Sequence, residues 1–120
     1  MNINERLELL QVSGTISKET CKLVQQLIIK TREQRKITLT EENAAALVTH
    51  MAMARDRILK GEIAAPIDAA IMEEIKGSPD YEKATAIVKE WDELLGIVFP
   101  EAEKGYLLLH LCTLLAQEAD

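Results

Sequence analysis

Aromatic residues are nearly absent from this sequence, which has one tryptophan, two tyrosines and one phenylalanine in 120 residues. A sheet uses such residues, with β-branched ones, to fill its half-buried surface, whereas the abundant Leu, Ile, Ala, Glu and Lys suit close-packed helices. Glycine (five) and proline (three) are also scarce, and no glycine-rich run is available to cradle a phosphate. No apolar stretch approaches the ~20 residues of a membrane span, and Met1-Asn2-Ile3-Asn4-Glu5 lacks the basic and apolar layout of a signal peptide. A soluble, cytoplasmic protein with no membrane partner is expected. The two cysteines, Cys21 and Cys112, have no metal-type spacing and stand inside apolar helical patterns, so they read as buried free thiols in a reducing compartment. Positive charge is in deficit as well, 14 Lys and Arg against 20 Asp and Glu, for a net charge of −6. Nucleic acid is not expected as a direct partner, since binding a phosphate backbone needs a cationic surface.

What remains is apolar and periodic. A hydrophobic content of 48% over 120 residues suits one domain with a real core, residues 1–120. The spacing predicts an all-α fold, a compact bundle of about five to six helices. Asn4 caps a short first helix with Leu7 and Leu10 facing inward, ended by Ser13-Gly14-Thr15. Ser17 caps a second that runs to about Arg35, with Cys21, Val24, Leu27, Ile28 and Thr31 on one face and Lys22, Gln25, Gln26 and Glu33 on the other. After the connector Ile37-Thr38-Leu39-Thr40, Thr40 caps a long third helix with the core stripe Leu47, Met51, Ala54 and Ile58, stopped by Lys60-Gly61. A loop over 62–66 leads to a short fourth helix marked by Ile67, Ile71 and Ile75 and closed by Lys76-Gly77. Ser78-Pro79-Asp80 opens a fifth, in which Tyr81, Ala84, Val88, Trp91 and Leu95 recur at helical spacing before Gly96. Ile97-Val98-Phe99 then links to a last helix with Pro100 at its first position and Leu107, Leu111 and Leu114 inward, fraying into Gln117-Glu118-Ala119-Asp120.

Two histidines stand mid-helix beside these apolar stripes, each with a charged residue seven positions away. His50 has Arg57, and His110 has Glu103, with Tyr106 between. Two turns of ~3.6 residues bring each pair nearly into line. The ordinary role of such a histidine is a satisfied, half-buried structural one. Neither helix offers a His-x-x-x-His or Glu-x-x-His pair here, so no metal and no cofactor is expected. Cys112 is two residues from His110 and faces elsewhere, and no other nucleophile accompanies the histidines, so no catalytic residue is assigned and an enzyme is not expected. A phosphoryl-accepting histidine has simpler needs: an accessible neutral ring nitrogen, a nearby cation and an interface sensitive to about two added negative charges. His50 with Arg57 offers this chemistry, because an arginine fork can hold two phosphate oxygens at once. Arg55, five residues from His50, is turned away and reads as a solvated surface residue.

His50-Met51-Ala52-Met53-Ala54-Arg55-Asp56-Arg57-Ile58-Leu59-Lys60-Gly61 resembles the first signature of the phosphotransferase-system regulation domain (PRD). Leu95-Gly96-Ile97-Val98-Phe99-Pro100-Glu101-Ala102-Glu103-Lys104-Gly105-Tyr106-Leu107-Leu108-Leu109-His110-Leu111 is similar to the second in order and spacing, and Ser78 to Ala84 fits the family's approach to its fourth long helix. The resemblance covers residues 5 to 116. It implies a compact helical bundle that dimerises and responds to sugar transport through reversible histidine phosphorylation. The implied donors are the small phosphocarrier HPr or the B component of a sugar-specific enzyme II. His50 and His110 map onto the two family histidines, and Arg57 and Glu103 onto the charged positions that accompany them. Thr49 stands where the family commonly has Asp, and Met53 where an aromatic is often found. Most such domains come in tandem behind a nucleic-acid-binding module, whereas a stand-alone single domain is expected here.

Two functions follow from the resemblance. In the first, a homodimeric regulatory domain carries phosphoryl groups on His50, His110 or both, with Arg57, Glu103 and Tyr106 supporting the site, and influences transcription indirectly through an unidentified regulatory protein. The second is a scaffold that keeps the fold without phosphorylation and binds a protein partner. Buried, hydrogen-bonded histidines would favour the scaffold.

Overall fold

Short polar side chains that accept the first free amide protons set most of the helix starts. The computed structural model describes residues 1–62 and 64–118, in which there are six helices and no strand. The first, α1 (Ile3–Val12), is capped by Asn2, whose side chain accepts from the Glu5 amide while the Glu5 carboxylate accepts from the Asn2 amide. Asn2 takes this place instead of Asn4 because only Asn2 has a glutamate three residues on to close the reciprocal pair. Ser17 caps α2 (Lys18–Arg35), and Thr40 with Asn43 forms a second reciprocal cap on α3 (Glu41–Leu59). Helix α4 (Ala69–Lys76) starts at Asp68, whose carboxylate accepts from the Ala70 amide. Ile67 therefore lies outside the helix, and of the three expected isoleucines only Ile75 is fully buried, Ile71 being exposed. Gly96 closes α5 (Tyr81–Leu95) in the left-handed conformation, φ 67°. The carbonyl of Pro100 accepts the Lys104 amide, so Pro100 occupies the cap just before α6 (Glu101–Glu118) and not its first helical position. Gln117 and Glu118 belong to this helix, while Ala119 and Asp120 lie outside the described residues.

All six helices feed one apolar cluster that includes Leu7, Val24, Leu47, Ile75, Trp91 and Leu107. The expected inner faces of α2, α3, α5 and α6 are buried in it, with Ile58 and Tyr81 at its margin. Helix α6 packs against α3, α4 and α5, and α2 against α1, α3 and α5. A Cβ on Gly105 of α6 would come within 2.7 Å of Ile67, so the bare backbone there lets the segment before α4 lie directly on α6. Trp91 donates its indole N–H to Thr31 Oγ1 at 2.9 Å, which ties α5 to α2 inside the core. Cys21 and Cys112 are buried and free, and burial pushes both thiols up from their ordinary pKa.

Arg55 overturns the expectation of a solvated side chain, being only 4% exposed. Its Nε donates to the Leu95 carbonyl at 2.8 Å, at the end of α5, and its Nη1 to Thr20 Oγ1 at 2.8 Å. Thr20 in turn donates to Asp56 Oδ1 at 2.6 Å, and Asp56 Oδ2 accepts the Ser17 amide at 2.7 Å. One residue pair of α3 thus serves the polar groups left open at the start of α2 and the end of α5. No described helix is long and apolar enough to cross a membrane.

Candidate functional site

The packing of α6 on α3 buries a carboxylate between them. Glu103, in the first turn of α6, is 1% exposed. Its Oε1 accepts from Arg57 Nη2 at 3.0 Å, and its Oε2 lies 2.8 Å from His50 Nε2. His50 and Arg57 reach the same acid because seven residues is close to two turns of α3. Bonds to both oxygens are what make the burial tolerable, since an unpaired charge would lose its hydration with no return. A guanidinium can only donate, so Oε1 accepts from Arg57, and an ionised carboxylate has only acceptor oxygens to offer His50 as well. With that assignment Nε2 carries the ring proton, and a neutral ring has its lone pair on Nδ1.

The other side of this triad is open. The side chains of His50 and Arg57 are 25% and 30% exposed, against 2% for Glu103. Both line a cleft of about 520 Å³ together with Arg6, Ala45, Ala46, Thr49 and Met53. Arg6, from α1, grips Glu41 through Nε at 2.9 Å and Nη2 at 2.5 Å, and its Nη1 extends to Thr49 Oγ1 at 3.4 Å. The Arg6 hydrogen bonds hold the Glu41 carboxyl below the usual carboxylate range. Tyr106 lies with its ring centroid 5.1 Å from that of His50, tilted by 41°. One turn further along α6, His110 is half-buried, and burial lowers its pKa, with the neighbouring His50 adding to the effect.

Four of the five expected residues, His50, Arg57, Glu103 and Tyr106, therefore meet in one place, and His110 adjoins them. The pairing differs from the one implied by spacing: Glu103, in line with His110 on its own helix, gives both oxygens to α3. No three His, Cys, Asp or Glu side chains among the described residues are placed to hold a metal ion. The sequence pattern of the PRD domain matches residues 25–113, which takes in both histidines and the charged residues between them. The chain belongs to the PRD family. As a PRD it is a regulatory domain of the phosphotransferase-system type. The "Probable licABCH operon regulator" of Bacillus subtilis (strain 168) is 29% identical over 109 residues, which are 91% of this chain and 16% of that protein. This PRD thus spans a small part of that relative's length. "Uncharacterized protein YhfY" of Escherichia coli (strain K12) is 27% identical over 106 residues, 88% of either chain. No solved structure gives a significant match.

Arg6 and Glu41 were not singled out as neighbours of the PRD histidine by sequence reasoning, and Thr49 and Met53 entered it only as departures from the family pattern beside His50. Thr49 and Met53 had a signal, being one residue before His50 and three after it, hence near the same helix face. Arg6 had none, because 35 residues separate it from Glu41 and only the docking of α1 on α3 brings it to the cleft.

Proposed function

We propose that this PRD, acting as one domain of 120 residues in the cytoplasm, is a non-enzymatic sensor of phosphotransferase-system activity that accepts phosphoryl groups on histidine, His50 foremost and His110 second. The observation that carries this is the arrangement of His50. One ring nitrogen is held by the buried Glu103, and the ring lines an open cleft that Arg57 shares. Glu103 orients the ring and balances the positive charge it would hold once Nδ1 carries phosphorus. Arg57 spends one recorded hydrogen bond on Glu103 and keeps further donors for phosphoryl oxygens. Lowering of the His110 pKa favours a neutral ring, the form that has a lone pair to offer.

A phosphoryl group brings about two negative charges to the α3 face. If that face is where two copies meet, the added charge shifts the dimer equilibrium, and an unidentified regulatory protein reads the change and alters transcription. HPr or an enzyme II B component is the proposed donor, and an acidic chain of net charge −6 complements a donor with a basic patch.

The test is incubation with phosphoenolpyruvate, enzyme I and HPr, with and without enzyme II B components, reading intact mass under alkaline conditions that preserve phosphohistidine. A phosphoryl-sized gain that is lost in the His50→Ala, His110→Ala double variant supports the proposal. No gain with any donor rejects it in favour of a protein-binding scaffold. The scaffold reading rests on the hydrogen bond that already occupies His50 Nε2.

A further inference from the structure

The cleft lined by His50 and Arg57 also receives a cation, Arg6, from α1, an element outside the matched family segment. Arg6 commits Nε and Nη2 to Glu41, which fixes the plane of its guanidinium, while Nη1 makes only a long 3.4 Å contact with the Thr49 hydroxyl. Thr49 immediately precedes His50, and both line the cleft with Arg6 and Arg57. The Glu41 clamp leaves Arg6 preorganised, so little side-chain entropy remains to be lost when an anion arrives. Glu103 and Glu41 already neutralise the two arginines, yet each guanidinium has five N–H groups, more than its carboxylate uses. Each therefore has N–H groups to offer a phosphoryl group in the cleft they both line without breaking its own ion pair.

We propose that Arg6 is the second phosphate-pairing residue of this site, holding from α1 the oxygens of a phosphoryl group carried on His50 while Arg57 holds them from α3. The proposal rests on the reading of His50 as a phosphoryl acceptor and deepens it, since it makes α1 part of the site. The Nδ1 lone pair attacks phosphorus, an N–P bond forms, and the bond to the donor nitrogen breaks with its electron pair leaving on that nitrogen. The Nε2 proton stays in the hydrogen bond to Glu103.

Phosphoramidate, a small donor that releases ammonia in this step, separates the two proposals because it needs no partner protein. With the wild-type chain, label on His50 is followed by intact mass and by ³¹P NMR across pH. Arg6→Gln is expected to slow labelling about tenfold, the loss of one charge-assisted hydrogen bond. It should also raise the pKa of the bound phosphoryl group by about one pH unit, as removal of a nearby cation does. Glu41→Gln weakens the clamp but keeps the cation, so it should slow labelling less than Arg6→Gln does and leave the phosphoryl pKa low. Arg6→Lys should keep the low phosphoryl pKa. Equal slowing in Arg6→Gln and Glu41→Gln, with an unchanged phosphoryl pKa, would reduce Arg6 to a structural tie and overturn the inference. Absence of any phosphoramidate label on His50 would overturn it too. Label that depends on Arg6, from a chain that phosphocarriers leave unmodified, would sustain the anion site and reject the sensor function.

Discussion

Glu103 and His50 are 53 residues apart in sequence and 2.8 Å apart in the fold. Their bond joins the second family signature to the first, and with Arg57 it makes a single polar seam between α6 and α3. Replacing Glu103 by Ala leaves Arg57 and His50 without their shared acceptor and opens a gap in the seam. The expected loss is about 2 kcal/mol, less than a fully buried pair would lose because both partners keep access to water. Urea unfolding measures it. The Glu103→Gln variant, which keeps an acceptor oxygen but no charge, should fall between the two.

His110 has a folded-state pKa below its ordinary value of 6.5, because burial disfavours the charged ring and His50 adds to this. The unfolded chain therefore binds this proton first as pH drops. Stability from the neutral ring is fully present above about pH 6.5. It declines as the pH falls toward the folded pKa and changes no further below it. Stability measured from pH 8 to pH 5 should show this decline, and His110→Gln should flatten it. An identical slope in the variant would mean that other groups carry the pH dependence.

Arg55 is expected to tolerate substitution far less well than a surface arginine. Arg55→Lys keeps the charge but cannot reach both the Leu95 carbonyl and Thr20 Oγ1, which the planar fork meets at 2.8 Å each. A cost of about 3 kcal/mol follows from breaking a buried charged network. Thermal unfolding gives the size of the loss, and a drop no larger than that of an exposed Lys or Arg substitution would contradict it.

Thr31→Val removes the acceptor of the Trp91 indole while keeping the side-chain shape. An unsatisfied buried N–H costs roughly 1–3 kcal/mol. Trp91 is the one tryptophan in the sequence and is 1% exposed, so its fluorescence reports on the core without interference. The variant should unfold at lower denaturant while its native emission stays blue-shifted, because the ring remains buried. A red-shifted native spectrum would show instead that the α2–α5 seam had opened.

Most of the helical pattern was legible because its causes are local. The runs of α2, α3 and α5 follow from caps at Ser17 and Thr40, the stop at Gly96 and apolar spacing, all within a few turns. Errors came where two local signals competed, Asn4 against Asn2 at the first cap and Ile67 against Asp68 at α4. For the candidate site, four of the five residues were legible as histidines and charges at a spacing of seven, with Tyr106 between one of the pairs, and the family resemblance singled out both histidines and both charges. Their pairing was not legible. Spacing on one helix could align Glu103 with His110, but it carries no information about the neighbouring helix to which the carboxylate turns.

By itself the sequence determined the helices, their inner faces and membership of a family with two histidines. Tertiary structure alone decided that Glu103 serves His50, that Arg55 is buried at the junction of three helices, and that Arg6 stands at the same cleft. The reason is range. Helix formation and amphipathicity are set by residues three and four apart, whereas a buried charge takes whichever partner the packing of distant helices brings within about 3 Å.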